Sequence, residues 1–175
     1  MSGIAKVIGI DRTIVVTPTI DTNAYAAGDQ VGGIQTLEGV FPDLQRGVNY
    51  VSKEGSIKYP GHVLLQSLTV TDISEQAAQF DLFFFNELPT VASSDNAALD
   101  IADSEVAKCI GHYKFAPTYG NAGGFYVGSE SNINLMLPQQ TGFENLNLYV
   151  VVSTSSAPTY TTTSALTFKY SFFVD

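Results

Sequence analysis

Along most of the chain apolar and polar side chains alternate one by one. In ALTFKYSFFV, Leu166, Phe168, Tyr170, Phe172 and Val174 fall on one side, against Thr167, Lys169, Ser171 and Phe173. In NLNLYVVVS, Leu146, Leu148, Val150 and Val152 oppose Asn145, Asn147, Tyr149, Val151 and Ser153. NINLML sets Ile133, Leu135 and Leu137 inward, LQSLTVT pairs Leu68 and Val70, and RTIVVTPTI pairs Ile14 and Val16. Side chains of a strand point alternately to its two faces, so this period of two predicts sheets with one dry and one wet face. Further strands are expected near 4–8, 31–37, 108–115 and 122–128, giving about nine or ten short strands, as in a β-sandwich or jelly roll.

One strand departs from the pattern. FDLFFF at 80–85 sends Phe80, Leu82 and Phe84 one way and Asp81, Phe83 and Phe85 the other, so both faces are apolar. A strand greasy on both sides is covered on both sides. The cover is either the segment 95–109 of the same chain or a neighbouring subunit closing an exposed patch.

That segment, DNAALDIADSEVAKC, is the one helical candidate, with Asp95 or Asp103 as cap and Gly111 beyond its end. A short helical crossover between strands is predicted there. Turns are marked by Ala27-Gly28-Asp29, Lys53-Glu54-Gly55, Tyr59-Pro60-Gly61, the stretch 120–124 and Gln140-Thr141-Gly142. Pro18 donates no ladder hydrogen bond and belongs at a strand end or edge. No repeat and no linker divides the chain, and 175 residues suit one domain spanning 1–175. The expected fold is therefore all-β, a jelly-roll-like sandwich with one helical crossover near 95–109.

Charge changes the picture of the surface. Only 14% of residues are charged and the net charge is −9. Ser, Thr, Asn, Gln and Gly must build the exterior, or neighbours must cover it. The eight basic residues are scattered, which argues against a nucleic-acid footprint. Between 131 and 168 the sole formal charge is Glu144, and depletion of charge marks interface centres. No apolar run approaches the ~20 residues of a membrane-spanning helix. Met1–Ile10 lacks the apolar core of a secretory signal, and Cys109 is the only cysteine, so folding in a reducing cytoplasm is expected.

Candidate chemistry is sparse. The two histidines, His62 and His112, stand far apart in sequence, and no G-x-S-x-G elbow accompanies them. Cys109 reads as a buried structural thiol. The acidic group Asp95, Asn96, Asp100, Asp103 and Glu105 lacks the spacing of a calcium loop and reads as capping and solvated residues. Tyr25, Tyr50, Tyr59, Tyr119 and Tyr126 fall near predicted loops and are candidates for a sugar platform. No catalytic, metal or cofactor residue is assigned, and no enzyme activity is expected.

Four stretches carry a resemblance: AYAAGDQVGG at 24–33, LLQSLTVTDISEQAAQFDLFFFNELPT at 64–90, DNAALDIADSEVAKCIG at 95–111 and LYVVVSTSSAPTYTTTSALTFKYSFFVD at 148–175. With them the chain resembles small virion structural proteins of tailed bacteriophages, among them head-decoration (cement) proteins. The resemblance implies a non-enzymatic protein on the capsid exterior, made in the host cytoplasm, with the major capsid protein and its own copies, as a trimer, for partners. Neither nucleic acid nor membrane is expected as a partner. The expected subunit contacts are Phe83, Phe85 and Leu88, with Ile4, Lys6 and Val7 of the N-terminal segment adding to a neighbour's sheet. The alternative is a tail, neck or fibre component that binds host glycans through tyrosines.

Overall fold

A computed structural model describes residues 10–41, 62–138 and 146–174. The alternating segments form strands in antiparallel register. They are β1 (Ile10–Val16), β2 (Gln35–Leu37), β3 (His62–Asp72), β4 (Phe80–Phe85), β5 (Cys109–Phe115), β6 (Tyr119–Asn121), β7 (Tyr126–Pro138), β8 (Leu148–Thr154) and β9 (Leu166–Val174). In β9 the residues Leu166, Phe168, Tyr170, Phe172 and Val174 are all buried, as the period of two requires.

The pairing follows a simple rule. β1 pairs with β9, β2 with β8, β3 with β7 and β4 with β5, so the chain is folded back on itself like a ribbon. Two more pairings, β3 with β9 and β4 with β8, roll that ribbon up. The result is a five-stranded sheet, β1-β9-β3-β7-β6, against a four-stranded sheet, β2-β8-β4-β5. This is jelly-roll topology, in which rolling joins distant strands and short β6 is an addition at one edge. The expected all-β sandwich is therefore present.

Between the sheets lies one apolar core. Phe80, Phe84 and Phe115 come from one sheet, and Leu68, Phe168, Tyr170 and Phe172 from the other. Phe80 packs edge-on against Phe168 with ring centroids 5.3 Å apart. Tyr170 brings a hydroxyl into this core and donates it to Gln35 Oε1 at 2.7 Å, because a buried polar group needs a partner.

β7 carries an irregularity that alternation alone does not reveal. Its register on β3 jumps from Leu65–Leu135 to Ser67–Ser131, so three residues, 132–134, face Gln66 alone. Asn132 and Asn134 adopt φ of 59° and 55°, the left-handed region that asparagine tolerates best after glycine. The bulge keeps Ile133 and Leu135 directed at the core while Asn132 and Asn134 stay exposed.

At one end of the sandwich the connections are stitched together by backbone bonds. Ile20 N donates to Thr163 O at 2.9 Å, Tyr25 N to Pro158 O at 3.0 Å and Ile73 N to Ala165 O at 3.0 Å. Asp72, fully buried, accepts from Ser74 N and Gln76 N at 2.8 Å and from Ala77 N at 3.1 Å, which closes the turn from β3 to β4. Burial outweighs these donors and raises its pKa.

Candidate functional site

The two broad outer faces of the sandwich differ in what covers them. The outer face of the four-stranded sheet is crossed by the connection 86–108. Its two legs meet where Asn86 N donates to Lys108 O at 3.3 Å. They stay paired through Thr90 N to Glu105 Oε2 at 3.0 Å and Ala92 N to Asp100 O at 3.0 Å. The tip reaches the far edge, where Gln30 N donates to Ala97 O at 2.8 Å and Leu99 N to Gly28 O at 2.9 Å. On their other side residues 29 and 31 bond Thr154 and Val152 of β8. The crossover thus runs from the β4–β5 edge, over β4 and β8, to beyond residues 28–31.

It lies over apolar side chains that the inter-sheet core cannot hold. Phe85 is 1% exposed and Val151 0%, yet neither belongs to the core cluster. The expectation of an exposed Phe85 that a neighbour closes is therefore corrected: the chain covers it itself. Phe83 is half-buried, with its ring 4.9 Å from that of His112, whose Nε2 lies 2.9 Å from Asp81 Oδ1. The cover differs from the expected helix. Only Asp103–Lys108 is helical, as a 3₁₀ turn, and Ala102 rather than Asp103 precedes it as cap. Residues 96–99 spend their backbone groups on 28–30, which an α-helix would not permit.

Asp95, expected as a helix cap, holds the crossover down instead. Its Oδ1 accepts from Tyr25 Oη at 2.7 Å and from Gly32 N at 2.6 Å, and its Oδ2 accepts from Asp21 N. All three donors belong to the connection between β1 and β2. Gly32 has φ +69°, and a Cβ there would stand 2.8 Å from Pro18 Cβ, so the close approach needs glycine. Burial and the Asp95 carboxylate push the Tyr25 hydroxyl pKa upward, keeping it a donor. A second tie is Lys108 Nζ to Glu105 Oε2 at 2.8 Å. The bonds from Lys108 and Thr90 N hold Glu105 below the usual carboxylate range, and Glu105 raises Lys108 in return.

What this face shows outward is apolar with an acidic margin. Leu88 is 57% exposed and Val106 62%, and both stand between the bonds Asn86–Lys108 and Thr90–Glu105 on facing legs. Asp100 and Asp103 are exposed on the same crossover.

The outer face of the five-stranded sheet has no such cover among the described residues. Its cross-strand rows are read from the register. Thr13, Ser171, Ser67 and Ser131 form one row, and Val15, Lys169, Thr69 and Ser129 the next. Phe173, Leu64 and Met136 form a third, beyond Asp11. Hydroxyls pair across it, Thr69 with Ser129 at 2.9 Å and Thr17 with Thr167 at 3.0 Å. Val15 stands 60% exposed directly beside Lys169.

Among the described residues no group of three or more His, Cys, Asp or Glu side chains could hold a metal ion. His62 opens β3 in one sheet and His112 lies in β5 of the other. Cys109, expected as a buried thiol, is partly exposed at the start of β5. No helix among the described residues is long and apolar enough to cross a membrane.

No protein-family model matches the sequence. No curated protein matches it either. Among the solved structures that match it weakly are two from viruses. One is a chain of Desmodium yellow mottle tymovirus, 12% identical at a TM-score of 0.25, spanning 99% of this chain and 91% of its own. The other comes from the cryo-EM structure of mud crab tombus-like virus, 11% identical at a TM-score of 0.25, spanning 99% and 92%. Likeness of this degree carries no argument about function.

Of the expected contact residues, Leu88 is exposed, Phe83 is half covered, Phe85 is internal, and Ile4, Lys6 and Val7 lie outside the described residues. Tyr25 is buried and engaged with Asp95, so it offers no sugar platform. Tyr119 and Tyr126 are half-buried neighbours 6.5 Å apart, while Tyr50 and Tyr59 lie outside the described residues. Val15, Val106 and Met136 escaped sequence reasoning. For Val15 and Met136 the available signal was an apolar residue on the wet side of an alternating strand.

Proposed function

We propose that residues 1–175 form a single-domain, non-enzymatic virion structural protein that decorates and stabilises a tailed-bacteriophage capsid from outside. The observation that carries this reading is the jelly roll with two broad outer faces bearing exposed apolar side chains, Val15 and Met136 on one and Leu88 and Val106 on the other. Jelly rolls serve in viral capsid and lectin domains, and exposed apolar side chains on a broad face suit protein contacts. A net charge of −9 fits the outside of a head better than the DNA-facing inside. The partners in this reading are the major capsid protein and further copies of the chain, as a trimer. The protein is made in the host cytoplasm, and Ile4, Lys6 and Val7 add to a neighbour's sheet.

Purified protein mixed with undecorated heads tests the reading. The account expects saturable binding and survival of the heads at a higher temperature. Absence of both would overturn it.

A second reading has one observation in its favour. Phe125, 37% exposed, adjoins Tyr126, whose ring neighbours Tyr119, at the loop end of the sandwich. Aromatic faces beside polar loops suit sugars, which fits a tail, neck or fibre component binding host glycans. Glycan-array signals lost on Phe125→Ala and Tyr126→Ala would favour it.

A further inference from the structure

We infer that two copies of this chain pack back to back through the outer faces of their five-stranded sheets, related by a two-fold axis. The inference goes beyond the proposed function, because the pair forms with or without a capsid.

Charge favours a second copy on this face. The net charge is −9, so most of the surface repels another molecule of the same kind. The crossover side exposes Asp100 and Asp103, and like charges across a contact are strongly disfavoured. The sheet face differs. In its four outward rows, from the row of Asp11 to that of Thr17, the described side chains include one acid and one base, Asp11 and Lys169, both exposed. His62 and Glu75 stand beyond these rows, at opposite ends. The face is therefore neutral in an acidic molecule and carries both halves of an ion pair.

The geometry makes it self-complementary. Asp11 and Lys169 lie two rows and one strand apart, about 14 Å at ordinary strand dimensions, so they do not pair within one molecule. Midway between them runs the row Thr13–Ser171–Ser67–Ser131. A two-fold axis along that row lays it on its own copy, where small side chains permit close approach and hydroxyls exchange hydrogen bonds. The row of Val15 and Lys169 then covers the row of Asp11 and Met136 of the partner subunit, and the reverse. Lys169 stands about one strand spacing from Asp11 of the partner subunit, within reach of its side chain, and this contact occurs twice. Val15 and Met136, 60% and 62% exposed, are covered together. Strands of the two sheets run nearly along one another, the aligned packing that twisted sheets adopt. The rows span about 20 by 25 Å, so two copies bury about 1,000 Å² in total, at the lower end of specific contacts. Association is therefore concentration-dependent. An isologous contact closes at two copies, and where the proposed trimer also forms it joins neighbouring trimers.

Exchange of the two charges tests this. In Asp11→Lys a lysine faces Lys169 of the partner subunit twice; in Lys169→Asp an aspartate faces Asp11 of the partner subunit twice. Both side chains are exposed, and circular dichroism verifies that the variants fold. Sedimentation velocity over a concentration series at low salt should show wild type associating in even numbers, the unit being twice 18.8 kDa. Each single variant should dissociate at least about tenfold more readily. An equal mixture of the two single variants should recover wild-type affinity, and so should the double variant Asp11→Lys with Lys169→Asp, because opposite charges face each other again. A wild type that stays monomeric up to about 0.1 mM, or that forms three copies, overturns the inference. So do single variants that associate like wild type, or a mixture that fails to recover. Binding to undecorated heads is a separate readout: a chain that pairs in this way and ignores heads supports this inference and removes the proposed function.

Discussion

Single residues decide where the crossover lies. Asp95 gathers three donors from the β1–β2 connection, and removing its carboxylate strands the Tyr25 hydroxyl and Gly32 N, while Asp21 N keeps its second acceptor, Tyr25 Oη, at 2.9 Å. Asp95→Ala should cost about 2–4 kcal/mol in urea unfolding, since each donor left without a partner is expensive. A loss within error of zero would mean that the clamp is ornamental. Phe85 and Leu88, three positions apart, should behave as opposites. Phe85→Ala opens a cavity under the crossover and should cost about 3–5 kcal/mol. Leu88→Ala removes an exposed side chain and should change monomer stability by less than about 0.5 kcal/mol. Equal losses at both sites would contradict the division between internal and outward side chains. Glu105 gives the chain an acid-sensitive element. Its pKa is lowered from the ordinary 4.5 by Lys108 and Thr90 N, so the unfolded chain binds its proton more readily. Its contribution is complete above the unfolded pKa and disappears as pH falls through the folded one. The stability difference between wild type and Glu105→Gln should therefore shrink on acidification below pH 4.5. A difference that is constant with pH would contradict the ion pair.

At the scale of elements, strands were legible and their covering was not. β8 and β9 announce themselves because one face is dry, and every second residue records it. FDLFFF records only that both faces are dry. A crossover and a foreign subunit write the same pattern, and the burial of Phe85 and Val151 decides between them for that part of the face. ALDIADSEVAKC carries helix-forming residues, yet residues 96–99 become the outer neighbour of 28–30 because backbone pairing there overrides local propensity. The β7 bulge was equally invisible, since NINLML alternates without a break while Asn132 and Asn134 turn left-handed. Replacing 87–107 by a short turn tests the crossover as an element. The β4–β5 pairing should persist, and binding of an apolar dye should rise as Phe85 and Val151 meet water. Unchanged dye binding would show that something else covers them.

At the scale of the whole molecule, the rolled ribbon produces two unlike backs. One is a hydroxylated sheet with Val15 and Lys169, the other an apolar, acid-rimmed crossover, and the same topology makes them opposite. No sequence pattern states that two faces oppose each other, because the order β1-β9-β3-β7-β6 follows from pairings between distant strands. Image reconstruction of the particle in which the proposed function puts this chain addresses the central claim most directly. The account predicts density for the jelly roll on the outer surface of the head shell. Density confined to the tail or to the interior of the head, or a particle that lacks the chain altogether, would contradict it.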